Sequence, residues 1–295
     1  MKSGFVAILG RPNVGKSTLL NGILNTKVSI VTDKSQTTRN AIKGIYNAEG
    51  VQIIFTDTPG IHKPKEKLGQ EMNNMAYSAA HDVDVNILVV DASLPFGPGD
   101  EYILEHLDIK VAPLIIVFNK IDEARLDKVE NLKKIYREKC HKALFIDTVA
   151  KEGFNLDELL KKIIELLPEG PAYYSVEEVT DKDEVFQIKE IIREKVLRNL
   201  RDEVPHAIAV YIEDIEWEAN PMHIKASIIV DKDSHKGIVI GAGGKRIKEI
   251  GSRARKDIEI LLHKHVFLEL FVKVQPGWRD DDKYLEAYGY KYKKN

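Results

Sequence analysis

The sequence has only one cysteine, Cys140, and no apolar run near the roughly 18 residues that a membrane-spanning helix needs. A single cysteine excludes an internal disulfide and is typical of a reducing compartment such as the cytoplasm. The apolar run at residues 5–9 is too short for the core of a signal peptide and predicts a first buried strand instead. We therefore expect a soluble, cytoplasmic protein.

Internal repeats and low-complexity tracts are also missing. Hydrophobic residues make up 43% of the chain and charged residues 31%, a mixture that excludes disordered and collagen-like proteins. The chain has 295 residues, and a single hydrophobic core rarely serves more than about 250–300 residues. The length therefore predicts two domains.

The first part of the chain alternates short apolar runs with amphipathic segments, which is typical of a mostly parallel sheet covered by helices on both faces. Two neighbouring segments, residues 41–47 and 51–57, predict a hairpin that adds one antiparallel edge strand. The other apolar runs are residues 5–9, 85–91, 114–118 and 144–146, and helical patterns cover residues 126–139 and 156–167. We predict an α/β domain over residues 1–170 with a six-stranded sheet.

Pro168 and Gly170 end this pattern and begin a linker over residues 171–182. The order of elements then changes to α-β-β-α-α-β, which predicts a smaller α+β domain over residues 183–278. The predicted elements are a helix at 185–201, strands at 208–217 and 223–231, two helical pieces, and a strand at 266–274. Residues 279–295 form a C-terminal tail.

Residues 10–17 match the phosphate-binding loop pattern G-x-x-x-x-G-K-[ST] between a predicted strand and helix. Glycines let successive backbone N–H groups point at phosphate oxygens beside a helix N-terminus. Lys16 would reach the β- and γ-phosphates, and the Ser17 hydroxyl would ligate Mg²⁺. The predicted nucleotide-binding residues of this loop are Gly10, Arg11, Pro12, Asn13, Val14, Gly15, Lys16 and Ser17.

Two further motifs follow predicted strands. Asp57-Thr58-Pro59-Gly60 supplies a carboxylate for Mg²⁺ and a backbone N–H for the γ-phosphate, although alone it is an ordinary turn sequence. Asn119-Lys120-Ile121-Asp122 supplies a carboxylate that can accept both N1–H and the exocyclic amine of guanine. Adenine would leave that carboxylate unpaired, and such a site rejects the wrong base strongly. Asp57, Thr58, Pro59, Gly60, Asn119, Lys120 and Asp122 are therefore predicted to bind nucleotide.

In this order the three motifs resemble the translation-factor-related GTPases, and Gln36-Thr37-Thr38-Arg39 resembles their switch I element. The resemblance implies that Thr38 reaches the Mg²⁺ when the γ-phosphate is present, which makes Ser17, Thr38 and Asp57 the metal ligands. It also implies that the Ala150 backbone N–H meets guanine O6. The segment around Ala150 reads Val-Ala-Lys, where the family usually has Ser-Ala-x.

The sequence lacks the glutamine that orients the attacking water in Ras-type GTPases. Ras-type GTPases place a water-orienting Gln directly after the Asp-x-x-Gly motif, and this sequence has Ile61 there. His62 is the next polar side chain, although a loop histidine is more often simply exposed. The predicted catalytic residues are Lys16, Thr38, Gly60 and Asn13.

Asn13 lies where related GTPases use Asn to help hold a monovalent cation. Its amide oxygen could ligate K⁺ and offset charge between the β- and γ-phosphates, or the residue could only shape the loop. The expected cofactors are therefore Mg²⁺ and, on the first interpretation of Asn13, K⁺.

Between residues 236 and 264 the chain carries eight basic and three acidic side chains, a net charge of plus five. Such a field favours a polyanion, although a solvated helix face would have the same composition. Within it, Gly241-Ala242-Gly243-Gly244 has the G-x-x-G pattern of a KH module, whose loop clamps about four nucleotides. A plain helix–helix turn is the alternative. The predicted RNA-binding residues are Lys236, Gly241, Ala242, Gly243, Gly244, Lys245, Arg246 and Trp278, with residues 238–240 as an apolar groove floor.

A phosphate-loop GTPase followed by a KH domain of this order, a type II KH domain, resembles the Era GTPases, a family of bacterial small-ribosomal-subunit assembly factors. The resemblance implies a GTP-hydrolysing switch that binds near the 3′ end of small-subunit rRNA. The implied partners are GTP, GDP, the rRNA and the small ribosomal subunit. Also expected are a monomer and peripheral contact with the cytoplasmic face of the cell membrane. Ala242 departs from the Lys that is common in this family, which removes one phosphate contact.

Two other functions stay open at this point. A phosphate-loop kinase would share the first motif but explains neither the Asn-Lys-Ile-Asp motif nor the G-x-x-G loop. A constitutive RNA-binding protein would hold GTP only as a structural ligand. The tail after Arg279 carries tyrosines among lysines, which either stack on bases or are solvated.

Overall fold

The structure is a computed structural model that describes residues 1–107, 112–200 and 204–292. Its first part folds as an α/β domain around a six-stranded sheet. The elements of this domain are β1 (Lys2–Gly10), α1 (Lys16–Leu24), β2 (Ile42–Ala48), β3 (Val51–Asp57), α2 (Lys67–His81), β4 (Val85–Asp91), α3 (Pro98–His106), β5 (Leu114–Asn119), α4 (Leu126–Lys139), β6 (Leu144–Thr148) and α5 (Leu156–Leu166).

The strand order is β2-β3-β1-β4-β5-β6, and only the β2–β3 pair is antiparallel. The predicted hairpin and the mostly parallel sheet are therefore confirmed. Every residue of β4 and β5 is buried, as expected for strands with helices on both faces. Because parallel strands end at one edge of the sheet, the loops after β1, β3 and β5 meet there.

The second part contains α6 (Glu184–Asn199), β7 (Ala209–Glu216), β8 (Met222–Val230), α7 (Asp233–Ile240), α8 (Lys245–Leu262) and β9 (Val266–Val274). Its sheet has the order β7-β8-β9, antiparallel and then parallel, and packs one face against α6 and α8. This is the predicted α-β-β-α-α-β order. The predicted helix at 185–201 reached Arg201, which lies outside the described residues.

The linker at residues 171–182 packs against the first domain. Its residues lie along the hairpin: the Ile45 N–H donates to the Val179 carbonyl at 3.0 Å, and the Gln52 side chain accepts from the backbone N–H groups of Tyr173 and Tyr174. The first of these bonds covers the outer edge of β2, which would otherwise expose unpaired backbone groups. The linker therefore fixes where the second domain begins.

Trp278, directly before the tail, and Tyr288 and Tyr290 within it are buried, so the prediction that Trp278 binds RNA is wrong. The ring of Trp278 is fully buried and its indole N–H donates to the Ala207 carbonyl at 3.2 Å. After it, α9 (Asp282–Ala287) and the buried Tyr288 and Tyr290 pack in one apolar cluster with Leu68 and Met72 of α2. The tail residues 293–295 lie outside the described residues. Among those described, no helix is both long and apolar enough to cross a membrane.

Candidate nucleotide and nucleic-acid sites

A cleft with a volume of about 580 Å³ opens at the edge where β1, β3 and β5 end. Residues from the loop after β1, from residues 30–38 and from the loop after β5 line it together. The lining includes Pro12, Asn13, Gly15, Lys16, Ser17, Thr18, Gln36, Thr38, Gly60, Lys120 and Lys151. The topology thus brings the three sequence motifs into one cavity.

The loop after β1 is held in shape by glycines that other residues could not replace. Gly15 has φ 100°, and a Cβ there would lie 2.2 Å from the Asn119 side-chain nitrogen. The Lys16 ammonium is buried and donates to the carbonyls of Gly10 (3.2 Å) and Arg11 (2.8 Å). Burial lowers the pKa of Lys16 to about 8, against the opposing attraction of Asp57. An anion in the cleft would favour the charged form of this lysine.

Three oxygen-bearing side chains converge beside Lys16. The Ser17 hydroxyl donates to Asp57 Oδ2 at 2.6 Å and lies 2.9 Å from the Thr38 hydroxyl. Asp57 Oδ1 is buried and makes no hydrogen bond to the described part of the chain. Burial raises the pKa of Asp57, although Lys16 acts in the opposite direction. Hard oxygen donors and an orphaned carboxylate oxygen fit a divalent cation such as Mg²⁺.

The residues after Asp57 pack into the domain and against the phosphate loop. The Thr58 hydroxyl donates to the Ile8 carbonyl at 2.7 Å, and Pro59 is buried as well. A Cβ on Gly60 would lie 2.7 Å from the Pro12 backbone, so only glycine lets these two loops approach. Ile61, in the position of the Ras-type Gln, is fully buried in the core.

His62 contacts residues 36–39, which we call the switch segment, instead of lying free in a loop. Its Nε2 lies 3.2 Å from the Gln36 amide nitrogen, and its Nδ1 lies 3.0 Å from the Gly60 carbonyl oxygen. Asn73 of α2 also binds the His62 carbonyl at 2.8 Å. His62 therefore joins the two loops that flank the expected γ-phosphate position.

The Asn119 side chain ties three loops together. Its nitrogen donates to the Val14 carbonyl at 2.8 Å, and its oxygen accepts from the Ala150 N–H at 2.9 Å and the Thr148 hydroxyl at 3.2 Å. Ala150 therefore gives its N–H to Asn119, so a bond to guanine O6 would require that this bond be exchanged.

Lys120 and Asp122 follow in different settings. Lys120 adopts φ 62° and its ammonium donates to the Asn13 carbonyl at 2.9 Å and to Asp91 at 2.5 Å. Lys120 thus braces the phosphate loop from the side. Asp122 is exposed, in a single 3₁₀ turn over Ile121–Glu123.

Three side chains of the phosphate loop make contacts that the sequence motif does not predict. Arg11 points away from the cleft and pairs with Asp100 of α3 at 3.0 Å. Val14 is buried in the domain core. Asn13 has φ 64° and its amide nitrogen donates to the Asp33 carbonyl at 3.1 Å, which links the loop to the segment before Thr38.

The G-x-x-G loop lies exposed between α7 and α8. Gly241, Gly243 and Gly244 all have φ between 58° and 74°. A Cβ on Gly243 or Gly244 would meet nothing within 4 Å, so the loop leaves open space for a nucleic-acid backbone. Ala242 and Lys245 are exposed and Lys236 is half-buried, whereas the Arg246 guanidinium donates to the Ile238 carbonyl and thereby closes the loop on itself.

The predicted groove floor at residues 238–240 is wrong for one residue. Val239 is fully buried in the domain core, whereas Ile238 is exposed and Ile240 is half-buried. A groove of about 400 Å³ also lies between α8 and β9, lined by Ile247, Lys248, Gly251, Ser252, Arg255, Phe267, Leu268 and Leu270. Sequence reasoning missed the β9 residues, although Phe267 is an aromatic residue at an expected exposed strand position.

The switch segment is bound directly by the second domain. Arg39 is fully buried, donates to the carbonyls of Ile208 (2.5 Å) and His206 (2.9 Å), and lies over the rings of Trp278 and Tyr290. Burial lowers the pKa of Arg39 to about 10.

A second buried arginine approaches the same segment from α6. Arg193 is paired with Glu190 at 2.5 Å and donates to the Thr37 carbonyl. The residue before Thr38 is thus held by the second domain.

Comparison with known proteins gives a consistent result. Residues 5–120 match the family model of the 50S ribosome-binding GTPases, and residues 203–279 match the KH domain model. The GTPase Era of Leuconostoc citreum is 47% identical over 292 residues, which are 98% of this chain and 96% of that protein.

Two solved structures match over 99% of this chain and 100% of theirs, each at 42% identity with a TM-score of 0.94. One is Era in complex with MgGDPNP and nucleotides 1506–1542 of 16S ribosomal RNA. The other is a variant of Aquifex aeolicus Era bound to GDP and AlF₄⁻.

The geometry of Asn119 generates a prediction that is independent of nucleotide. Asn119→Asp replaces the donor to the Val14 carbonyl with a repelling oxygen, so it should destabilise the nucleotide-free protein by about 1–3 kcal/mol. Urea unfolding followed by circular dichroism measures this. Asn131→Asp, on the exposed face of α4, is the matched control and should cost less than about 0.5 kcal/mol. Equal effects of the two variants would contradict the structural role of Asn119.

Proposed function

The chain belongs to the Era family of GTPases, and from that premise we propose that it is a GTP-hydrolysing switch that binds RNA during assembly of the small ribosomal subunit. The observation that carries the proposal is the contact between the nucleotide cleft and the KH domain. The segment that contributes Thr38 to the nucleotide cleft is held by two buried arginine contacts with the KH domain. A change in the cleft therefore reaches the RNA-binding domain through Arg39 and Thr37.

In this proposal the cleft binds GTP by its phosphates and reads guanine by its base edge. Lys16 and the backbone N–H groups of residues 10–17 hold the phosphates, and the Gly60 N–H faces the γ-phosphate. Ser17, Thr38 and Asp57 would hold Mg²⁺, which would neutralise negative charge on the phosphate oxygens. Asp122 accepts two hydrogen bonds from guanine, with Asn119 and Lys120 shaping that end. Water attacks the γ-phosphorus, the bond to the bridging oxygen breaks, and GDP and phosphate leave.

The RNA side of the proposal uses the exposed loop and the groove next to it. The G-x-x-G backbone clamps the RNA strand, Lys236 and Lys245 meet phosphates, and bases lie along the α8–β9 groove. The Era structure in complex with nucleotides 1506–1542 of 16S ribosomal RNA supports a ligand near the 3′ end of small-subunit rRNA. A kinase is not supported, because the family is one of GTPases.

The domain boundaries, the cell compartment and the state of assembly complete the proposal. We place the GTP-binding domain at residues 1–170, the linker at 171–182 and the KH domain at 183–278, with the tail docked onto α2. We propose action in the cytoplasm as a monomer. Peripheral contact with the membrane stays a prediction from the family resemblance alone.

The first prediction from this proposed function concerns base choice. Asp122→Asn should lose GTP affinity by at least about tenfold and gain relative affinity for xanthosine triphosphate, whose C2 carbonyl accepts from an amide. Competition binding of both nucleotides measures the ratio. Asp127→Asn, an exposed carboxylate on α4, controls for the loss of charge. An unchanged ratio in the Asp122 variant would refute the assignment of guanine recognition.

The second prediction concerns a monovalent cation. The Asn13 amide nitrogen is bound to the Asp33 carbonyl, which leaves the amide oxygen to ligate K⁺ beside the phosphates. Hydrolysis should then be about tenfold faster in KCl than in NaCl, equivalent to about 1.4 kcal/mol. Asn13→Ala should abolish the preference, and Asn131→Ala should keep it. A preference for K⁺ that survives Asn13→Ala would contradict this role.

The third prediction concerns coupling between the domains. The affinity for the rRNA fragment should differ about 5- to 150-fold between the GDPNP and GDP forms, a coupling of about 1–3 kcal/mol. Arg39→Lys should reduce that difference, because an ammonium cannot span the carbonyls of residues 206 and 208 as the guanidinium does. The affinities are compared at one fixed salt concentration.

Arg125→Lys, an exposed position on the GTPase domain, is the control for this experiment. Equal RNA affinities of the wild-type protein in the two nucleotide states would show that the nucleotide does not control RNA binding. A GTPase and an independent RNA-binding domain would then share the chain.

A further inference from the structure

The outer face of the KH-domain sheet differs from the rest of that domain. The inner face packs against helices, whereas on the outer face the side chains of Tyr211, Phe267 and Phe271 are 42%, 53% and 42% exposed. Tyr211 and Phe271 are both paired with Ser227, from opposite sides. Two strand spacings, about 10 Å, therefore separate their backbones. We call these residues and their polar neighbours on β7, β8 and β9 the aromatic face.

Acidic side chains surround the rings of the aromatic face. Residues that alternate along each strand share a face, and an irregularity in β7 between Ile212 and Asp214 allows the adjacent Glu213 and Asp214 to lie on the same one. The polar members of this face are Glu213, Asp214, Glu216, His223, Lys225, Ser227, Glu269 and Lys273. Four carboxylates thus face two lysines. One of these, Lys273, is already paired with Glu213 at 2.5 Å, and Glu213 also accepts from the Ser227 hydroxyl. The contact with Lys273 lowers the pKa of Glu213.

The net negative charge argues against RNA as the ligand of this face. Residues 236–264, which include the G-x-x-G loop, carry a net charge of plus five, so the domain has two surfaces of opposite sign. A phosphate backbone on the aromatic face would meet four carboxylates. Phe267 also borders the α8–β9 groove, whereas Tyr211 and Phe271 do not line it, so these two define a separate surface.

The spacing on β9 suits a cation. Glu269 lies between Phe267 and Phe271, about 7 Å from each along the strand. Glu269 Oε2 lies 3.5 Å from His223 Nε2, and the His223 ring packs edge-on against Phe267 with 4.9 Å between the centroids. A guanidinium that pairs with the other oxygen of Glu269 would therefore stack on Phe271, where attraction to the ring face adds to the ion pair. Arginine fits better than lysine, because its planar group both forks onto a carboxylate and stacks on an aromatic ring.

The aromatic face is bounded on one side by the docked tail. Ile229, at the end of the same face, is covered by Trp278, and Tyr211 lies 6.1 Å from the ring of Tyr288. From these contacts and charges we propose that the aromatic face docks an arginine-rich, extended segment of a partner protein. Glu269 would bind an arginine whose guanidinium stacks on Phe271, Tyr211 would pack against a neighbouring side chain of the segment, and the carboxylates of β7 would attract the remaining positive charge.

The test uses the full-length protein with GDP and a fluorescein-labelled (Arg-Gly)₆ peptide, with binding followed by anisotropy at about 50 mM salt. Phe271→Thr keeps a strand-forming residue, and Glu269→Gln keeps the shape of the side chain. Each should weaken binding about fivefold, and the double variant more than tenfold. A (Lys-Gly)₆ peptide should bind the wild-type protein more weakly than the arginine peptide.

Matched controls separate this surface from general attraction. Ile260→Thr removes an exposed apolar side chain on α8, and Glu152→Gln removes an exposed carboxylate on the GTPase domain. Both should leave peptide affinity unchanged within about twofold. The rate of GTP hydrolysis and the circular dichroism spectrum show that each variant is folded.

Three results would overturn the proposal. The first is unchanged peptide affinity in the Phe271 and Glu269 variants. The second is an equal loss in Glu152→Gln, which would mean that charge alone attracts the peptide. The third is weaker binding of the rRNA fragment by Phe271→Thr with unaffected peptide binding, which would assign this face to RNA.

Discussion

A buried guanidinium must find partners for its donors inside the protein, because an unpaired buried charge is very costly. Arg39 meets this constraint for its two terminal nitrogens by reaching the second domain, where backbone carbonyls accept from them and two aromatic rings lie beside the guanidinium. Its Nε makes no hydrogen bond within the described part of the chain. This contact joins the switch segment to the tail and to the start of β7. Breaking it would leave Arg39, and the carbonyls that it binds, without partners in a dry interface.

In the nucleotide cleft the constraint is different, because burial there disfavours the charged forms of Lys16 and Asp57. Burial lowers the pKa of Lys16 to about 8 and raises the pKa of Asp57. Both shifts weaken the charged forms that phosphate and Mg²⁺ would restore. Protein charges alone therefore do not balance the cleft, which explains why a phosphate and a cation together would order it and the switch segment beside it.

The KH domain divides its surface by charge. The loop and the α8–β9 groove lie on a basic stretch, whereas the outer face of the sheet combines exposed rings with carboxylates. One small domain can thus bind a polyanion on one side without attracting it to the other. This separation is compatible with a switch that contacts RNA and a protein at the same time.

The sequence alone determined the local features. Apolar runs located most strands of the first sheet, and the motifs at Gly10–Ser17, Asp57–Gly60 and Asn119–Asp122 predicted the cleft, because these depend on short-range chemistry and on the shared edge of a parallel sheet. The order of elements predicted the KH domain, because the hydrophobic periodicity that identifies each helix and strand is also a local property of the sequence. Glycine patterns likewise marked the loops that approach closely.

Only the tertiary structure decided the long-range contacts. Trp278 looked like a base-stacking residue but fills the interface around Arg39, and Val239 looked like a groove residue but lies in the core. Composition cannot distinguish these outcomes, since an aromatic or apolar side chain serves a core and a binding surface equally well. Which of the two it serves depends on packing between residues more than 200 positions apart in the chain, as between Arg39 and Trp278.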